Sequence, residues 1–148
     1  MQVDNNNSNE NIKYIHNRTF HYMMLCVEIA KKSDMRCKHG CIVVDKNGKI
    51  ISEAHNRRNG LPDRHIEDPK KRPFFSSHAE ETALKKMNRQ ELNGASLYVV
   101  RFGHCHKNPT FLNSKPCPKC TPIILACMKN YGLKAAYYST GEEFDEIK

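Results

Sequence analysis

Residues 40–54, "GCIVVDKNGKIISEA", limit the possible folds of this 148-residue chain more than any other stretch. Two runs rich in β-forming residues flank Lys46-Asn47-Gly48. Asn-Gly between such runs is the strongest short-range signal for a β-hairpin. The flanking segments read as helix. "FHYMMLCVEIAKKS" repeats apolar residues at helical spacing (Phe20, Met23, Met24, Val27) and ends in lysines suited to a helix C-terminus. After the hairpin, "HNRRNGLPDRHIEDPKKRPFF" is dense in proline, charge and turn residues, and is expected to form a long loop. A helix is expected from about Ser77 to Asn88, then a strand at "ASLYVVRF" and an irregular segment, "GHCHKNPTFLNSKP". A further helix is expected from Pro118 to about Asn130, closed at Gly132, then a strand at "LKAAYYST". Helix, hairpin, helix, strand, helix, strand is the order of an α/β layered domain with a mixed sheet. Met23/Met24 and Ile123/Ile124/Leu125 are expected on core faces.

The length suits one domain with one good core. We expect residues 1–12, asparagine-rich and polar, to be a disordered tail, and residues 13–148 to form the single domain. The N-terminus lacks the apolar stretch of a secretory signal, and no later run is long enough to span a membrane. Seven cysteines, an odd number, fit a reduced intracellular, cytoplasmic protein better than a disulfide scaffold. The net charge of +8 collects in clusters such as Arg57/Arg58, Lys70/Lys71/Arg72 and Lys85/Lys86/Arg89. Such clusters attract phosphate, either on a nucleotide or along a nucleic acid; the bland alternative is a solubilising surface.

In "SSHAEETAL", Ser77 and Glu80 fit the S-x-x-E capping box, which accounts for the glutamate but not for His78. Downstream, "KPCPKC" holds Cys117 and Cys120 at the usual spacing of two thiolates on one metal. Alone, that pair could equally be two buried cysteines or a redox couple. His78 adds a third donor. Three protein ligands are the pattern of a catalytic zinc, which keeps a fourth position for water. Glu80, two residues from His78, would then stand beside that water as a general acid and base.

His-Ala-Glu followed by Pro-Cys-x-x-Cys is the signature of zinc nucleobase deaminases. On these motifs the chain resembles the cytidine/deoxycytidylate deaminase superfamily over roughly residues 20–140. "GCIVVDKNGKIISEAHN", "ASLYVV" and "AAYYS" are similar to the family's strands and occur in the family's order. The resemblance implies a three-layer α/β/α fold, with an N-terminal hairpin in a mixed central sheet and helices on both faces. It also implies one catalytic Zn2+ held by His78, Cys117 and Cys120. Glu80 would take a proton from the bound water, help protonate the ring nitrogen and pass a proton to the departing ammonia. Asn56 and the backbone N–H of Ala79 would contact the substrate, and the protein would self-associate as a homo-oligomer.

The histidine at 78 excludes the pattern typical of free-nucleoside cytidine deaminases, which have cysteine there. The expected substrate is cytosine of a free nucleotide (dCMP or CMP, giving dUMP or UMP and ammonia), its phosphate held by Arg57, Arg58 and Arg64. The alternative within the class is an RNA-directed deaminase acting on tRNA adenosine or polynucleotide cytidine, for which Phe74/Phe75 could be a stacking platform. From another class, the chain could be an inactive zinc-stabilised nucleic-acid-binding module. A spare ligand set (Cys37, His39 and Cys41, with His104, Cys105 and His106) would then close the first site or build a second, structural zinc. The simpler reading places Cys41 in the core, and His65, His104 and His106 in solvent.

Overall fold

A computed structural model of the chain describes residues 5–58, 76–102, 111–140 and 144–147. The first helix, α1, spans Asn5–Ala30. No proline or glycine interrupts that stretch, so the helix begins inside the segment expected to be a polar tail. The buried stripe is Thr19, Tyr22, Met23, Cys26, Val27 and Ala30, which keeps one face at 3.6-residue spacing. Phe20 and Met24 fall off it and are exposed, which corrects the expectation that Met24 belongs to the core.

The hairpin forms as expected. Strand β1 (Lys38–Val44) pairs antiparallel with β2 (Ile50–His55). Asp45 organises the turn: its carboxylate accepts from the N–H groups of Asn47 and Lys49, both at 2.9 Å. Side chains on β1 alternate between two cores. Ile42 and Val44 meet α1 together with Tyr98 and Val100. Cys41 and Val43 face the opposite layer with Leu97 and Val99. At Gly40, α1 lies so close that a Cβ would sit 2.1 Å from the Cys26 carbonyl oxygen.

Two short strands, β3 (Arg57–Arg58) and β4 (Ser76–Ser77), pair antiparallel beside the sheet. The second helix, α2, spans Ala79–Lys85 and is followed by a 3-10 turn at Arg89–Leu92. Strand β5 (Ser96–Phe102) lies antiparallel to β1, and β6 (Phe111–Leu112) adds two residues at its end. The third helix, α3 (Cys120–Tyr131), crosses over to β7 (Ala135–Ser139), which runs parallel to β5. It stops at Gly132, as the sequence indicates: φ there is 75°, and the Gly132 N–H caps the Cys127 carbonyl. Strand β8 (Phe144–Glu146) closes the edge against β7.

The mixed sheet therefore has the order β2-β1-β5-β7-β8, with β6 on β5. Helix α1 packs on one face and α2 and α3 on the other, giving the three-layer α/β/α arrangement. Within α3, Ile124 is buried and Ile123 partly so, but Leu125 is exposed, contrary to the expected core face. Among the described residues, no helix is long and apolar enough to cross a membrane.

Candidate active site

Helices α2 and α3 both begin at the same end of the sheet, and the three expected metal ligands meet there. His78 is the N-cap residue of α2, in extended conformation and with no side-chain cap bond. Ser77 belongs to β4 and pairs with Arg57, so the N-cap of α2 is His78 and not the serine of the S-x-x-E match. Starting the helix one residue later frees the His78 ring. Cys117 precedes α3 and accepts backbone hydrogen bonds from Cys120 (3.0 Å) and Thr121 (2.9 Å). That closed turn brings both sulfurs to one side, although the helix starts two residues beyond the expected Pro118.

His78 Nδ1 lies 3.4 Å from both Cys117 Sγ and Cys120 Sγ. All three donor atoms lie within 4.8 Å of one another. Zinc–nitrogen and zinc–sulfur bonds of about 2.0–2.3 Å in a tetrahedron require donor separations of about 3.5–3.8 Å. The donor set fits one zinc. Burial pushes the Cys120 thiol up, and the neighbouring Glu80 and Cys117 add to the effect. A divalent cation at their centre reverses that electrostatic preference. No other group of three such ligands occurs among the described residues.

Glu80 lies in the first turn of α2, 5% exposed. Burial raises its carboxyl pKa, opposed by hydrogen bonds from its own backbone N–H and from the Cys120 thiol. A cavity of about 260 Å3 opens onto this group and is lined by His39, Asn56, His78, Ala79, Glu80, Ser114, Lys115 and Cys117. Ala79 is the first residue of α2, so no preceding helical carbonyl accepts its N–H.

Asn56 is buried and cross-linked to β1. Its Oδ1 accepts from the His39 N–H at 2.8 Å, and its Nδ2 donates to the Cys37 carbonyl at 2.7 Å. A primary amide has two donors and two acceptor lone pairs, so one of each remains for a ligand. Arg57 and Arg58 lie on β3, both exposed and apart from this cavity. Arg57 instead lines two neighbouring clefts, one with Ser77, Glu81, Lys85 and Lys119, the other with Lys32, Glu53 and His55.

Three cavity residues were not singled out as substrate contacts by the sequence reading. His39 stands on the β1 face that also carries Cys41. Burial and the Arg101 guanidinium across the β1–β5 ladder lower its pKa to about 4, so the ring is neutral near pH 7. Alternation along the hairpin strand would have flagged it. Ser114 and Lys115 come from the segment before Cys117, whose path the sequence does not reveal. The Ser114 hydroxyl donates to the Val99 carbonyl at 2.9 Å and accepts from the Ser139 N–H at 2.8 Å. The Ser139 hydroxyl donates to the Leu112 carbonyl at 2.6 Å. These bonds tie the approach to Cys117 onto the ends of β5 and β7.

Cys41 is fully buried, as expected, and Cys37 is exposed with its sulfur 3.2 Å from Arg101 Nη2. The spare ligand set therefore does not assemble from Cys37, His39 and Cys41. Arg64, His65, Lys70, Lys71, Arg72, Phe74, Phe75, His104, Cys105 and His106 lie outside the described residues, as does "NGLP" at 59–62.

The family model for the cytidine and deoxycytidylate deaminase zinc-binding region matches residues 16–135. The chain belongs to that family. It is a zinc-binding deaminase-domain protein, and its fold recurs in solved structures. The dCMP deaminase of cyanophage S-TIM5, in its apo form, is 29% identical, with 82% of each chain covered and a TM-score of 0.52. The same phage enzyme in complex with dCMP and dUMP is 30% identical over 80% of this chain and 77% of that one, with a TM-score of 0.52. A cytidine deaminase from Burkholderia pseudomallei shares the fold at 17% identity, with a TM-score of 0.54 and coverage of 85% and 88%. No curated protein sequence matches this one.

Proposed function

We propose that this family member hydrolytically deaminates cytosine in a free nucleotide, converting dCMP or CMP to dUMP or UMP and ammonia. One observation carries the reading: Glu80 shares a cavity with His78 and Cys117, two members of a His-Cys-Cys donor set that fits zinc. The choice of a free nucleotide is supported by the phage dCMP deaminase, captured with dCMP and dUMP at 30% identity.

Zinc held by His78, Cys117 and Cys120 supplies Lewis acidity and brings water ionisation toward neutral pH. Everything else falls to side chains and backbone of this chain. Glu80 would take a proton from the attacking water and deliver it to the ring nitrogen, then take the proton of the newly added hydroxyl and pass it to the amine, which leaves as ammonia. A buried carboxyl with a raised pKa is suited to holding that proton between transfers. The Ala79 N–H offers a donor to the base, and Asn56, held by β1, offers its remaining donor and acceptor. Ser114 and Ser139 keep Cys117 in place. The protein is expected to act as a homo-oligomer, and sedimentation as a monomer at high concentration would count against that.

Zinc-loaded protein assayed on dCMP, CMP, cytidine and guanine, against a tRNA and a single-stranded oligonucleotide, tests the reading. Turnover of dCMP or CMP is expected. Turnover of a polymer alone would establish the RNA-directed alternative, and turnover of nothing would favour a binding module.

A further inference from the structure

We propose that Lys115 is the anchor for the substrate's phosphate, the role that the basic residues after Asn56 suggest for Arg57 and Arg58. The inference deepens the free-nucleotide reading and rests on it. Among the described residues lining the catalytic cavity, Lys115 is the one fixed cation. His39, the other basic side chain there apart from the ligand His78, is neutral near pH 7. Arg57 opens onto two other clefts and does not line the cavity. Neighbours in sequence divide between the two sides: Asn56 and Arg57, His78 and Ser77, Glu80 and Glu81.

The state of Lys115 also fits a waiting cation. Lys31 is paired with Glu28, and both Lys85 and Lys119 are paired with Glu81. Lys115 makes no ion pair among the described residues, and it is exposed. Its backbone, by contrast, is fixed. The Lys115 N–H donates to Asn113 Oδ1 at 2.9 Å, and Ser114 beside it is locked to β5 and β7. A flexible ammonium on a rigid base two residues from Cys117 can meet a group at the cavity rim while the base sits at the metal end. A nucleoside monophosphate brings nearly two negative charges to that rim at pH 7. An uncharged nucleoside brings none, so the residue discriminates nucleotide from nucleoside.

The test compares dCMP with deoxycytidine on zinc-loaded wild type, Lys115→Ala, Lys115→Arg and Arg57→Ala/Arg58→Ala. Lys129→Ala, on the far part of α3, controls for the loss of one surface charge. Removing a charged hydrogen-bond donor predicts a KM for dCMP raised roughly 10- to 100-fold in Lys115→Ala. The kcat for dCMP, and kcat/KM for deoxycytidine, should stay within about twofold of wild type, with Lys115→Arg restoring most of the KM. Equal losses on both substrates would reveal a merely structural role and overturn the anchor. A larger KM effect in Arg57→Ala/Arg58→Ala than in Lys115→Ala would also overturn it. Wild type that turns over neither monomer would instead refute the free-nucleotide reading, and the anchor with it.

Discussion

His39 and Asn56 hold each other by two hydrogen bonds: the His39 N–H donates to Asn56 Oδ1 at 2.8 Å, and the Asn56 N–H donates to the His39 carbonyl at 3.2 Å. The pair fixes one part of the cavity wall, and it makes His39 a reporter of that wall's integrity. With a pKa of about 4 in the fold against the usual 6.5, the ring is neutral in the native state while the unfolded chain still binds a proton. The unfolded state therefore holds more protons between pH 4 and 6.5, so stability should rise with pH across that window and be fully present above it. The contribution lost on acidification is about 2–3 kcal/mol. Urea denaturation at pH 5 and pH 7 should show this loss in wild type and a shallower one in His39→Phe. Equal slopes would mean that the ring is not held neutral.

Glu80→Gln keeps the shape of the side chain and removes its capacity to carry a proton. Turnover should fall by at least about a thousandfold with zinc content unchanged. Steady-state kinetics with metal analysis on the same sample checks both parts, and retained turnover would sink the proposed proton path.

Zinc should be worth stability as well as chemistry, because only the folded chain brings the three ligands together. Chelation is expected to abolish activity and to lower the melting temperature by roughly 5–10 °C. Cys120→Ser should lose zinc more completely than Cys117→Ser, since Cys120 is fully buried and Cys117 only partly. Metal stoichiometry of one zinc per wild-type chain, measured on both variants, decides the point.

Gly40→Ala would drive a methyl into the Cys26 carbonyl and the Ala30 backbone. Both obstacles are main chain and cannot rotate away, so a loss of about 3 kcal/mol is expected from denaturant midpoints. A near-neutral result would show that α1 can lift from the sheet at little cost.

Much of this architecture was legible in the sequence because local signals agreed with it. The Asn-Gly turn, Gly132 and the β-forming run of β1 each act within a few residues, and each element appeared where those signals put it. The meeting of His78, Cys117 and Cys120 was legible because their spacing is itself chemical information. The sequence was silent where position depends on distant packing. Nothing local indicates that Ser114 bonds Val99 and Ser139, or that Arg57 turns away from the cavity its neighbour Asn56 enters. The start of α2 was hidden for the same reason: Ser77 pairs with Arg57 across β3 and β4, and His78 becomes the N-cap.

That small ladder also sets a distance within the site. Arg57 pairs with Ser77 and Arg58 with Ser76, so β3 and β4 form one small clasp. Asn56 and His78 stand immediately inside the clasp. The register of two residue pairs therefore holds together two cavity-lining side chains that the sequence keeps far apart, and a slip of one residue in it would separate them.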